Sequence, residues 1–264
     1  MITAYDYTLA ALAGESDVDC VLVGDSLAMV MHGHGSTIAA TADMMALHTA
    51  AVARAVKDKL IVGDMPFLSV RKGLGPAMEA VEKLARAGAQ AVKIEGVEGH
   101  GEIISHIIKS DIPVMGHIGL TPQSVNKFGG YKAQGKDPAS AERLVAQALE
   151  LERLGCFALV LECVPEELAK RITGSLKIPV IGIGAGRFTD GQVLVLHDLL
   201  GLYGEPPPFV KKYLDGRRLV VAALNNFDKE VKNSVFPECK GKEYANSEKH
   251  GGLAEAQGRP ALRR

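Results

Sequence analysis

The chain has 264 residues, 47% of them hydrophobic, and its 30 basic and 31 acidic side chains leave a formal charge of -1. That length suits one large α/β domain with a full core, and so even a charge balance offers no basic face to nucleic acid or to an anionic membrane surface. No apolar run reaches the roughly 18 residues a membrane-spanning helix needs, so the expected partner is a small molecule.

Ile2 to Tyr5 reads as a first short strand, with no basic flank or apolar centre of a signal peptide around it. A brief helical turn over Thr8 to Leu12 leads to Cys20-Val21-Leu22-Val23-Gly24-Asp25-Ser26, an apolar run of the length expected for a strand buried on both faces. The loop His32-Gly33-His34 after it could present two metal ligands, although alternate residues of an extended chain share one side only when the chain is regular, and loop packing or substrate contact is the simpler role. Thr41 or Asp43 can cap a helix from Met44 to Val56, and the following strand ends at Asp64 before Pro66. A helix over Ala77 to Ala87 then precedes the strand ending Lys93-Ile94-Glu95, whose period of two puts Lys93 and Glu95 on one side.

A helix from Glu102 to Lys109 leads to the strand ending at His117. The polar, glycine-containing stretch from Gly119 to Lys136 is long for a compact domain and reads as a functional lid. Asp137 or Ser140 opens a helix to Leu154, the next strand ends at Glu162, and Glu166 to Ser175 forms a helix behind Pro165. Pro179 to Ile183 is the seventh strand, followed by Gly184-Ala185-Gly186, which could cradle an anion or serve close packing. Gln192 to Leu196 reads as the eighth strand with His197-Asp198 at its tip. Eight strands alternating with helices predict a (β/α)₈ TIM barrel over residues 1–238, with a helix from Arg218 to Lys232 outside it. An open doubly wound sheet is the alternative, but no Gly-x-Gly-x-x-Gly follows a first strand. Residues 239–264 are poor in large apolar side chains and are expected to be disordered.

Parallel strands in one barrel would gather Asp25, Asp64, Glu95, His117 and Glu162 at one rim. Three acids with no cysteine or paired histidines among them suit a hard cation such as Mg²⁺, with Asp25 and Asp64 as direct ligands and Glu95 as a third, through water. The plainer alternative, in which each acid pairs with a rim Lys or Arg, weakens as acids accumulate at successive strand tips. A cation beside Lys93 and Ser26 suits a 2-oxo acid, because chelation polarises its carbonyl and stabilises the enolate. Glu162, lifted from the ordinary value of about 4.3 by burial, is the expected base. His117 could orient substrate, shuttle a proton or be a structural histidine. Cys20, Cys156, Cys163 and Cys239 show neither metal-ligand spacing nor the density of a disulfide scaffold, so a reducing compartment is expected.

The segments Thr3-Ala4-Tyr5-Asp6, Val23-Gly24-Asp25-Ser26-Leu27, Lys93-Ile94-Glu95-Gly96, Gly116-His117-Ile118-Gly119-Leu120-Thr121-Pro122-Gln123, Phe128-Gly129-Gly130-Tyr131, Leu161-Glu162-Cys163-Val164-Pro165 and Ile181-Gly182-Ile183-Gly184-Ala185-Gly186 run in order along the chain. Together they closely resemble ketopantoate hydroxymethyltransferase. The resemblance implies a (β/α)₈ barrel of the phosphoenolpyruvate/pyruvate-like kind that moves a hydroxymethyl group from 5,10-methylenetetrahydrofolate to 3-methyl-2-oxobutanoate. It further implies Mg²⁺ on Asp25 and Asp64 with Glu95 nearby, substrate contacts from Ser26, Lys93 and His117, Glu162 as proton acceptor, and a cytoplasmic homodecamer. A mitochondrial setting is expected only if a longer N-terminus precedes Met1. The family's helical segment before the first strand is missing here, which leaves one barrel mouth expected to be uncovered. A lyase or mutase of the isocitrate lyase type is the competing enzyme, although its Lys-Lys-Cys-Gly-type loop is absent. An inactive 2-oxo acid binder is the third possibility.

Overall fold

The structure is a computed structural model and describes residues 1–237, so the disorder expected for 239–264 lies outside the described residues. The chain forms two compact units, Met1–Arg217 and a second beginning at Arg218.

The first unit holds eight parallel strands in sequential order: β1 (Ile2–Thr3), β2 (Cys20–Val23), β3 (Leu60–Asp64), β4 (Ala91–Glu95), β5 (Val114–Gly119), β6 (Ala158–Glu162), β7 (Val180–Ile183) and β8 (Gly191–Gln192). The ring closes through a parallel bridge between Ile2 and Leu194 and through the Thr3 N–H, which donates to the Leu194 carbonyl at 3.2 Å. The helices are α1 (Tyr7–Glu15), the short α2 (Leu27–Val30), α3 (Ala42–Ala55), α4 (Leu74–Arg86), α5 (Gly101–Lys109), the short α6 (Val125–Phe128), α7 (Pro138–Leu154), α8 (Glu166–Ser175), the short α9 (Leu196–Leu199) and α10 (Gly216–Lys232). The second unit is described by α10, where Lys232 pairs with Asp228 one turn earlier and Phe227 meets Phe236 edge-on.

The period-two alternation of buried strands divides the core into two layers. Leu22, Val62, Ala91, Met115, Ala158, Val160 and Val193 fill the barrel, while Val21, Val23, Ile61, Val92, Ile94, Ile118, Leu159 and Leu161 pack outward with the helices. Parity then decides where the ionisable groups go. Asp64, Lys93, Glu95, His117 and Glu162 share the inward set with Val62, Ala91, Met115 and Val160, and they occupy the C-terminal rim where barrel enzymes carry their sites. Register places Asp64 beside Lys93, Glu95 beside His117 and Gly119 beside Glu162.

The helix caps follow the sequence chemistry: the Thr41 hydroxyl accepts the Met44 N–H at 3.2 Å, and the Asp137 carboxylate accepts the Ser140 N–H at 3.0 Å. Two elements differ most from expectation. The turn over Thr8 to Leu12 is the nine-residue helix α1, because Asp6 caps it and it packs against α3 beyond the weak helix former Gly14. The eighth strand has only Gly191 and Gln192. Its expected continuation leaves the ladder because the Leu196 N–H turns to the Thr3 hydroxyl at 3.0 Å, and His197 and Asp198 fall inside α9 rather than at a strand tip. Of the two roles open to Gly184-Ala185-Gly186, close packing is the one the contacts favour, since a side chain at Gly184 or Gly186 would meet Phe209 and Glu166 respectively.

Candidate active site at the C-terminal rim

The site starts at Asp25, just past β2, where the chain turns inward through Gly24. A side chain at Gly24 would stand 2.9 Å from the Ser26 hydroxyl and 3.6 Å from the Asp64 carboxylate, so glycine lets the backbone approach its neighbours. The Asp25 N–H donates to Asp64 Oδ2 at 3.0 Å. Across the ladder, Lys93 Nζ lies 2.9 Å from Asp64 Oδ1, and both side chains are buried. The same ammonium lies 3.2 Å from His117 Nδ1, whose lone pair accepts from it. His117 Nε2 faces Glu162 Oε2 at 3.2 Å but outside hydrogen-bond geometry, and Glu95 Oε1 stands 3.6 Å from His117 Nδ1 with no hydrogen-bond partner. All five rim groups named from the sequence thus meet, and Ser26 joins them at the start of α2. Its hydroxyl shares a 2.7 Å hydrogen bond with the buried Tyr5 hydroxyl.

Burial and mutual repulsion set the charges. Burial first, then the Asp64 and Glu95 carboxylates, raise the Asp25 carboxyl well above the ordinary range. Burial pushes Glu95 up to about 7 against the pull of Lys93. Glu162 is also raised by burial, with His117 opposing. Burial disfavours the Lys93 ammonium, but Asp64, Glu95 and Asp25 outweigh it and hold the proton more tightly than usual. His117 is lowered, by burial and then by Lys93, which keeps the imidazole neutral. One cation therefore faces several acids in a dry space, an arrangement that favours a second positive charge.

Gln123 is the site residue whose role the sequence did not reveal. Its side-chain amide donates to Asp25 Oδ2 at 2.8 Å and to the Met65 carbonyl at 2.9 Å, and its backbone N–H donates to Glu95 Oε2 at 3.0 Å. The available signal was its place two residues past a strand-tip threonine and directly after Pro122. The expected lid is partly ordered as a 3₁₀ turn over Pro122–Ser124 and as α6, and the Gln134 N–H fixes its far end to the Cys163 carbonyl at 2.9 Å. His32 and His34 do not join the rim groups. His32 Nε2 instead meets His48 Nε2 at 2.9 Å.

A cavity of about 110 Å³ lies among Ser26, Asp64, Lys93, Glu95, His117 and Glu162. It is small beside the 300–1,000 Å³ typical of drug-sized ligands and suits a short acid. No group of three or more His, Cys, Asp or Glu side chains among the described residues forms a ready-made metal cage. The donor chemistry nonetheless fits a hard cation. Asp25 and the unpartnered Glu95 oxygen offer carboxylates, and Mg²⁺ needs only one or two of these with water or substrate oxygens completing its shell.

An eight-stranded parallel barrel with its acids at the C-terminal mouth defines a (β/α)₈-barrel enzyme architecture. Solved structures sharing this fold include phosphonopyruvate hydrolase in complex with oxalate and Mg²⁺ (TM-score 0.59, 13% identity, 90% of this chain and 84% of that one). Another is 2,3-dimethylmalate lyase, a PEP mutase/isocitrate lyase superfamily member (TM-score 0.60, 15% identity, 88% of this chain and 82% of that one). Within that architecture, the chain belongs to the ketopantoate hydroxymethyltransferase family, whose profile matches residues 1–239. A 3-methyl-2-oxobutanoate hydroxymethyltransferase of Coxiella burnetii is 56% identical over 239 residues, covering 90% of each chain. That of Bdellovibrio bacteriovorus is 54% identical over 241 residues, covering 91% of this chain and 92% of its own.

Proposed function

We propose that this chain transfers a hydroxymethyl group from 5,10-methylenetetrahydrofolate to 3-methyl-2-oxobutanoate, giving 2-dehydropantoate. The observation that carries the reading is the placement of Glu162, half-buried and raised above the usual carboxylate range by burial, on the same small cavity as the Asp25, Asp64 and Lys93 cluster. Lys93 and Ser26 bind and orient the 2-oxo acid, and Glu162 accepts the proton from its C-3. Neutral His117 accepts from Lys93 through Nδ1 and turns its Nε2 toward Glu162, which orients the ammonium beside the base. The new carbon–carbon bond forms between C-3 and the donor's methylene carbon, with water supplying the hydroxyl oxygen and tetrahydrofolate leaving. Mg²⁺ held by Asp25 and Asp64, with Glu95 beside it, would supply the Lewis acidity that makes the C-3 proton removable.

Proton NMR of 3-methyl-2-oxobutanoate in D₂O tests this directly. Loss of the C-3 signal that depends on protein and Mg²⁺, followed by 2-dehydropantoate when the folate donor is added, is the expected course. Absence of exchange in folded protein at saturating Mg²⁺ would overturn it. The same reading carries a cytoplasmic enzyme assembled as a homodecamer, which sedimentation of the purified chain would test.

A further inference from the structure

The 110 Å³ cavity holds a short acid and leaves no room for a folate, so the donor must lie against the rim beside it. A second cavity, of about 120 Å³, opens at the same rim, and the two share strand ends. Gly96 follows Glu95 of β4, Ile118 and Gly119 follow His117 of β5, and Thr121 precedes Gln123 by two residues. Its outer wall carries three cations from three elements: Arg71 after β3, Lys127 on α6 and Arg143 on α7.

None of the three is held in an ion pair by a neighbouring acid among the described residues. The Arg71 guanidinium donates to the backbone carbonyl of Glu98 at 3.1 Å, while the Glu98 carboxylate, the acid lining this cavity, accepts the Gln147 amide at 2.7 Å. Among the described residues, Arg71, Lys127 and Arg143 take part in no ion pair, whereas Lys83, Arg86 and Arg171 on the outer helices each hold a carboxylate. Half-buried Phe128 adds an aromatic side chain to the wall, and Ser124 and Ser140 add hydroxyls. Three cations outside ion pairs against the single Glu98 carboxylate leave the wall net positive, and with an aromatic and hydroxyls it fits a ligand whose aromatic body ends in carboxylates.

Resting on the hydroxymethyltransferase reading, we propose that the cavity among Arg71, Lys127, Phe128 and Arg143 takes the glutamyl carboxylates of the folate donor, whose aminobenzoyl ring lies at its open mouth. Lys127 and Arg143 engage the glutamyl carboxylates, and the pteridine with its methylene carbon reaches back past Thr121 toward Glu162 and the 2-oxo acid. Lys127 lies on the segment tied down at Gln123 and at Gln134, the same segment that borders the acid site.

Equilibrium binding of tetrahydrofolate, measured on the wild type and on Lys127→Ala and Arg143→Ala, tests the pocket, with C-3 exchange followed on the same samples. A charge-assisted hydrogen bond is worth about 1.5–3 kcal/mol, so each variant is expected to raise the Kd by about tenfold or more. Arg143→Lys should recover part of that loss, and C-3 exchange should persist because it needs no donor. A Kd within about twofold of wild type in both variants overturns the proposal. Should a variant lose exchange as well, the wild type decides: a tetrahydrofolate Kd that does not weaken as salt rises also overturns it. Wild-type protein that binds tetrahydrofolate in the cation-dependent way yet shows no C-3 exchange would sink the functional reading and leave the pocket standing.

Discussion

Replacing Gln123 by alanine is the most informative single perturbation of the rim, because this side chain ties the Asp25 carboxyl to the Met65 carbonyl without being an acid. The change removes a 2.8 Å hydrogen bond to the Asp25 carboxyl and a 2.9 Å hydrogen bond to the Met65 carbonyl, and leaves the backbone N–H to Glu95 in place. A bond to a charged acceptor is worth about 1.5–3 kcal/mol and one to a neutral carbonyl about 1, so the loss should total roughly 2–4 kcal/mol. For a unit of this size that is a fall of roughly 5–15 °C in melting temperature. The loss should be largest at alkaline pH, where Asp25 is ionised and accepts most strongly. Differential scanning calorimetry of Gln123→Ala and of Gln123→Met, which restores most of the volume but not the donors, separates hydrogen bonding from packing. A Gln123→Met protein melting within a degree of wild type at every pH would refute the bracket role.

Three further outcomes are expected. Asp25→Ala and Asp64→Ala should each abolish Mg²⁺-dependent turnover, and unchanged turnover in either, measured against Mg²⁺ concentration, would remove that residue from the metal site. Glu162→Gln should retain Mg²⁺ and substrate binding but slow C-3 exchange by about 10²–10⁴-fold, the usual scale of a general base; exchange at the wild-type rate would place the base elsewhere. Without metal, the thermal midpoint should fall as pH rises from 6.5 to 8, above the range in which His100, His117 and His197, all lowered by burial, act in the opposite sense. Asp25, Glu95 and Glu162 all hold their protons more tightly in the folded chain than when unfolded, and Glu95 moves from 4.5 to about 7. Their favourable contribution is complete below the unfolded value and lost as pH passes through the folded one. Mg²⁺ should raise the midpoint more at pH 8 than at pH 6, and a metal-free midpoint that rises across this window contradicts the electrostatics.

The rim was legible in the sequence because short apolar runs ending in an ionisable residue encode both a buried parallel strand and its active end. Lys93 and Glu95 could be put on one side from period alone, and β4 puts them there. Other features depend on contacts distant in sequence. The pairing of His117 with Lys93 and its approach to Glu162 rest on the β4–β5–β6 register, which no local pattern sets. Gln123 gains its role only when the chain after β5 folds back over β2. β8 looked longer because Val193 and Leu194 are apolar, yet past the single bridge of Leu194 to Ile2 the chain turns into α9, with the Leu196 N–H on the Thr3 hydroxyl, and the ladder ends early.

That short closure gives the ring a seam. β1 and β8 contribute two residues each, while the ladders from β2 through β6 run continuously and carry every rim acid. Backbone amides near the seam are held by few neighbours and should exchange with solvent first, in a local opening well below the cost of global unfolding. The barrel can therefore breathe at Thr3 and Leu194 while Asp64, Lys93, His117 and Glu162 keep their spacing. Opening there would fall along the arc of the ring that holds none of those four groups.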